Sequence, residues 1–107
     1  MNSRRETNRD LDELIDEITV DCYDEDEQLQ GFENAFDEHG SVPVSGTVVG
    51  ERVDIMRIGQ ADGRRELIAT CRRAGRRYEI ALLDVADIKA DPQTTRLVAA
   101  YRRWIRA

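Results

Sequence analysis

The stretch Asp21 to His39, DCYDEDEQLQGFENAFDEH, sets eight carboxylates around Leu29, Phe32 and Phe36. Those three apolar residues recur at helical spacing, so one face of the segment is a core element and the remainder stores negative charge. Asp24 with Glu27 three positions later has the spacing of a capping box, with Asp in the cap position, and starts a helix near Asp24. Gly40, suited to a left-handed C-cap, ends it near His39.

Toward the N-terminus, Leu11, Leu14, Ile15 and Ile18 recur at three and four residue spacing, with Asp12, Glu13, Asp16 and Glu17 on the outer face. This predicts an amphipathic helix from about Asp10 to about Asp21, blurred at its end by the β-branched run Ile18-Thr19-Val20. Residues 1–8 are polar and aperiodic and are expected to form a disordered tail, leaving 9–107 as one α+β domain. A tight corner at Asp21 to Asp24 between the two helices gathers carboxylates.

Past Gly40 the period changes from helical to alternating. Val42, Val44 and Thr47 to Val49, then Val53, Ile55 and Ile58, predict two strands broken at Gly50-Glu51. Gly59 to Gly63 reads as a hairpin loop, Glu66 to Cys71 as a third strand, Arg72 to Gly75 as a turn and Arg77 to Leu83 as a fourth strand. Asp91-Pro92 opens a last helix whose apolar stripe is Leu97, Val98, Tyr101, Trp104 and Ile105. The expected architecture is two N-terminal helices, a small four-stranded antiparallel sheet twisted toward a barrel, and a C-terminal helix.

Charge divides the 107-residue chain. The first 40 residues hold 14 acids against 3 arginines, a net of −11, whereas residues 41–107 hold 13 basic and 8 acidic residues, a net of +5. Such asymmetry points to an external charged partner or ion, or to neutralisation of one half by the other within the fold. No apolar run approaches the roughly 20 residues of a membrane helix, and no apolar stretch follows the first arginines as in a secretory signal, so a cytoplasmic protein is expected. Cys22 and Cys71, 49 positions apart with no CxxC partner and each in an apolar pattern, read as buried reduced thiols.

The acid segment admits a solvated helix face, a metal site or an acidic docking surface. Packed carboxylates repel unless cations compensate, and calcium, which takes six to eight oxygens in flexible geometry, suits them better than magnesium. One histidine and two separated cysteines give zinc little support. An EF-hand loop starting at Asp26 fails: Gln28 and Gln30 stand where Asp or Asn belongs, Asp37 replaces the bidentate Glu, and Phe32 and Phe36 keep helical spacing through it. Asp21 is the acid hardest to explain as mere solubility, because its charge opposes the dipole at a helix end. Glu33 and Glu38 read as solubilising residues.

Arg72, Arg73, Arg76 and Arg77 bracket Ala74-Gly75 and form a basic hairpin. Without aromatic interleaving or a recognised fold motif in an acidic chain, nucleic acid is an unfavoured partner. Catalysis has less support still: His39 stands alone, and no nucleophile motif or phosphate loop occurs.

The segments VDCYDEDEQLQGF (Val20 to Phe32), Val42-Pro43-Val44, VVGERV (Val48 to Val53), ATCRRAGRRYEIALLDV (Ala69 to Val85) and AYRRW (Ala100 to Trp104), in that order, resemble a family. It is that of the small bacterial calcium-binding proteins related to the cyanobacterial calcium-binding protein of heterocyst differentiation. The resemblance implies a non-enzymatic α+β protein that binds Ca2+ outside any EF-hand as an intracellular buffer or sensor; the sequence does not fix the oligomeric state, and a monomer is the expectation. Asp21, Asp24 and Glu27 match the family's Asp-x-Tyr-x-x-x-Glu pattern around Tyr23, and Asp37 its acidic second-helix end. These four are the expected metal ligands; an acidic protein-interaction module is the alternative reading, and nucleic-acid binding by the arginine hairpin the next.

Overall fold

The computed structural model describes residues 7–106, so the expected tail falls, over residues 1–6, outside the described residues. Helix α1 spans Asn8–Ile18 and opens on a capping box in which the Thr7 hydroxyl accepts from Asp10 N and the Asp10 carboxylate from Thr7 N. It stops three residues before the predicted end. The Thr19 hydroxyl donates to the Ile15 carbonyl at 2.7 Å, and the chain turns away, with Asp21 at a φ of 64°.

Helix α2 spans Glu25–His39 with Asp24 as N-cap, its carboxylate accepting from Glu27 N at 2.8 Å. Gly40 is not left-handed as expected: its φ of −81° and ψ of 161° are extended. The position has a different requirement, since a Cβ there would stand 2.7 Å from the Phe36 carbonyl oxygen.

The sheet has five strands, not four, and is open: β1 Val44–Val48, β2 Glu51–Gln60, β3 Leu67–Arg73, β4 Arg76–Ala81 and β5 Ala86–Lys89, in the order β4-β3-β2-β1-β5, all antiparallel. The predicted fourth strand ends at Ala81 because Leu82–Asp84 forms a 3-10 turn. The chain then returns along β1 as β5, a strand whose alternation is hidden by its shortness and by Asp87 at a φ of 49°. Edges β4 and β5 remain unpaired with each other, so nothing closes into a barrel. Two two-residue turns carry positive φ at both positions, Val49-Gly50 and Ala74-Gly75, as type I′ hairpins demand.

Helix α3, Pro92–Arg106, is capped by Asp91, whose carboxylate accepts from Thr94 N and from the Thr94 hydroxyl. These bonds hold the Asp91 carboxyl below the usual carboxylate range. α1 packs on α3, α3 on α2, and α2 on β2, over a core containing Phe32, Ile55, Leu67, Leu82 and Tyr101, all fully buried. Phe32, Tyr101 and Trp104 form an aromatic triangle with ring centroids 5.0 to 6.0 Å apart. The Tyr101 hydroxyl, itself buried, accepts from Leu67 N at 2.8 Å and so ties α3 to the start of β3. Both cysteines are free; Cys22, expected to be buried, is only half-buried at the corner after α1, whereas Cys71 is fully buried, and burial pushes its thiol up.

Candidate metal centre

The end of α1 meets the middle of α2 in a groove of about 500 Å³. The meeting depends on Gly31, inside α2, where an added Cβ would lie 2.7 Å from the Ile18 carbonyl oxygen. The groove floor is Leu14, Ile18 and Leu97, and its polar lining includes the carboxylates of Glu17, Asp21, Glu27 and Glu38 and the amides of Gln30 and Asn34. On α2, Glu27, Gly31, Asn34 and Glu38 succeed one another at four, three and four residues, which aligns them along a single helix face.

Glu27 is held in place locally. Its carboxylate accepts from Tyr23 N at 2.7 Å while its own N–H donates to Asp24, so the corner and the first turn of α2 are braced reciprocally. The bracing differs from a standard capping box by one residue, the returned bond coming from the residue before the cap. The left-handed φ at Asp21 is what folds Tyr23 back toward Glu27. Tyr23 itself is 88% exposed, so its side chain contributes no packing to the corner.

The four expected ligands are therefore divided. Asp21 and Glu27 share the groove. Asp24 serves as helix cap outside it, and Asp37 lines a smaller hollow of about 120 Å³ with Phe36, Ser41 and Arg57. Glu17 and Glu38, which the sequence presents as solvated, take their places in the groove lining. Glu33 is no solubilising residue either: its carboxylate accepts from Gln60 N at 2.7 Å and from the Gln60 and Gln30 side chains at 3.1 Å, linking α2 to the end of β2. The backbone bond from Gln60 is the chief reason its carboxyl sits below the ordinary glutamate range.

Of the groove's carboxylates, Glu38 has the His39 Nε2 at 3.8 Å, a cation only when the imidazole is protonated, and the other three are uncompensated among the described residues. Among the described residues no Arg or Lys pairs with Glu17, Asp21 or Glu27, and the last turn of α1 carries no basic residue to offset its dipole. Carboxylate and amide oxygens are hard donors and fit Ca2+; the cysteine and histidine at the rim, Cys22 and His39, belong to no cluster of soft ligands. Among the described residues no three His, Cys, Asp or Glu side chains already stand together as a metal cage, so the donors are solvated side chains around a fixed backbone.

A family model described as calcium binding, of the CcbP type, matches residues 12–105. The crystal structure of Anabaena CcbP superposes with a TM-score of 0.79 at 21% identity, covering 98% of this chain and 95% of that one. A calcium binding protein in the calcium-binding form superposes with a TM-score of 0.78 at 20% identity, covering 98% and 96%. At such identities the two structures establish a shared fold. No curated protein matches in sequence.

Proposed function

The chain belongs to the CcbP family of calcium-binding proteins, and from that premise we propose that it takes up Ca2+ in the groove between α1 and α2. The observation that carries the reading is one groove lined by four carboxylates, three of which, Glu17, Asp21 and Glu27, have no Arg or Lys partner among the described residues, with a helix C-terminus pointing the same sign of charge at it. Asp21 and Glu27 are the core oxygen donors, with Glu17, Glu38 and the Asn34 amide within the same groove. Asp24 acts as a positioning residue through its cap on Glu27 N. Asp37, in a separate hollow, lies outside the site. A bound calcium ion would relieve the repulsion among these groups and stabilise the native state by mass action, by about 2.7 kcal/mol at a hundred times its Kd.

The protein is a binding protein and not an enzyme, and the reading favours an intracellular buffer over a sensor. α2 is already locked to the core by Phe32 and Phe36, to β2 by Glu33, and to α3 by the Trp104 indole donating to Gln28 at 2.8 Å. Little is left for calcium to rearrange beyond exposed side chains.

The test is calorimetric titration of chelator-stripped protein with calcium under millimolar magnesium. Saturable binding that Asp21→Asn or Glu27→Gln weakens at least tenfold, and Asp37→Asn leaves within twofold, supports the groove. Equal small losses at all three positions would mean diffuse counterion attraction and sink it. Amide chemical shifts that move only around the groove mark a buffer, and shifts spread through the sheet a sensor.

A further inference from the structure

The arginine hairpin answers the question raised by the divided charge. If the acidic half neutralised it, its guanidiniums would reach α1 or α2. Instead Arg73 pairs with Glu51 of the neighbouring strand, and among the described residues Arg72, Arg76 and Arg77 have no ion-pair partner. The register sets Arg72 directly opposite Arg77 and Arg73 opposite Arg76. Like charges facing each other across two strands destabilise the pair; Arg72 also faces Asp54 on β2 and Arg73 is paired with Glu51, so the charge left for an anion outside the fold to relieve is that of Arg76 and Arg77 on β4.

The tip belongs to β4, the edge of the sheet, whose residues Arg76 to Glu79 are all exposed. Arg73 and Arg76 flank a two-residue turn and so form a hydrogen-bonded pair, which by alternation turns the backbone N–H and C=O of Arg77 and Glu79 away from β3. The free edge therefore offers alternating donors and acceptors, with two arginines at one end and Glu79 and the half-buried Ile80 at the other.

We propose that β4 is a docking edge for an extended acidic peptide segment of a partner protein, added as a sixth strand with its carboxylates beside Arg76 and Arg77. A peptide satisfies both donors and acceptors of the edge, whereas a nucleic-acid backbone only accepts. Glu79 and a chain charge of −6 oppose a uniformly charged phosphate backbone but tolerate a strand that is acidic at one end only. The surface is independent of the calcium groove.

The experiment uses the full chain and a labelled ten-residue peptide with Glu at alternate positions of the half meeting the tip and Val or Thr elsewhere, read by fluorescence anisotropy. The expected result is saturable binding, weakened at least tenfold by the double variant Arg76→Glu/Arg77→Glu and at least tenfold by Glu79→Pro. That proline removes an outward N–H without touching the β3 ladder. Melting curves check that both variants fold; should the proline variant fail, slowed hydrogen exchange at Arg77 and Glu79 in the native chain on peptide addition replaces it. No saturable peptide binding, binding indifferent to both variants, or tighter capture of a 20-nucleotide oligothymidine would each overturn the proposal, the last in favour of phosphate recognition.

Discussion

Gly31→Ala separates two effects of opposite sign. In an exposed helix interior this change stabilises by roughly 0.5–1 kcal/mol, because alanine has less backbone freedom to lose. At Gly31 the new Cβ lies 2.7 Å from the Ile18 carbonyl oxygen and 3.6 Å from the Cys22 sulfur. The carbonyl belongs to the α1 backbone and cannot swing aside as a long side chain would. Relief requires α1 to move bodily away from α2, against its packing on α3, and overpacking of this kind costs about 1–3 kcal/mol. The clash wins, with a net destabilisation of about 1–2 kcal/mol and a fall in Tm of roughly 4–8 °C per kcal/mol for a domain of this size. Urea unfolding measures the stability, and calcium titration of the same variant should show weaker binding, since Glu17 and Asp21 withdraw with α1. A Gly31→Ala protein that is more stable than the parent and binds calcium equally well would refute the close approach and the groove built on it.

Three further outcomes follow from the packing. Glu33 has a folded pKa below its unfolded one, so the stability it contributes is present above the ordinary glutamate range and is lost as pH falls through the lowered value; Glu33→Gln should flatten that acid limb of a stability-pH profile, and an unchanged limb would discount the Gln60 bond. Val49, 94% exposed and held at a φ of 49°, has no packing to lose, so Val49→Asn should raise stability by about 1 kcal/mol in thermal unfolding. Tyr101→Phe leaves Leu67 N without its buried acceptor and should cost about 1–3 kcal/mol by urea denaturation, with little change in calcium affinity.

Much of the fold was legible because it rests on local rules. The apolar spacing of Leu29, Phe32 and Phe36 and the cap at Asp24 marked α2 to within a residue, and Asp91-Pro92 marked the start of α3. What escaped was decided by tertiary contact. β5 has four residues and one left-handed position, too little alternation to register, and it exists as a strand because β1 offers it an edge. Its pairing with β1 leaves the sheet open where curvature toward a barrel was expected. Gly40 looked like a left-handed cap, yet glycine is needed there for space beside the Phe36 carbonyl. Of the residues that line the candidate groove, the Asp-x-Tyr-x-x-x-Glu pattern singles out Asp21 and Glu27, and the face shared by Glu27, Asn34 and Glu38 was also readable from spacing alone. Glu17 was not: it belongs to the outward side of α1 by periodicity, and only the crossing of the two helices brings it to the groove.

That crossing explains why one acidic segment supports both a helix cap and a candidate ion site without conflict. A run of carboxylates on a single straight helix would spread around its circumference, each screened by its own water. Here the chain breaks at Asp21, and the left-handed residue doubles it back so that the C-terminal, negative end of α1 faces the flank of α2 and not its positive N-terminus. Carboxylates near the N-terminus of α2, Asp24 to Glu27, are favoured by its dipole, which offsets part of the repulsion among them. Glu17 and Asp21 have no such compensation. The part of the acid cluster that the fold stabilises by itself and the part that calls for a cation are therefore different residues, and Glu27, braced by Tyr23 N and Asp24 while lining the groove, is where the two parts join.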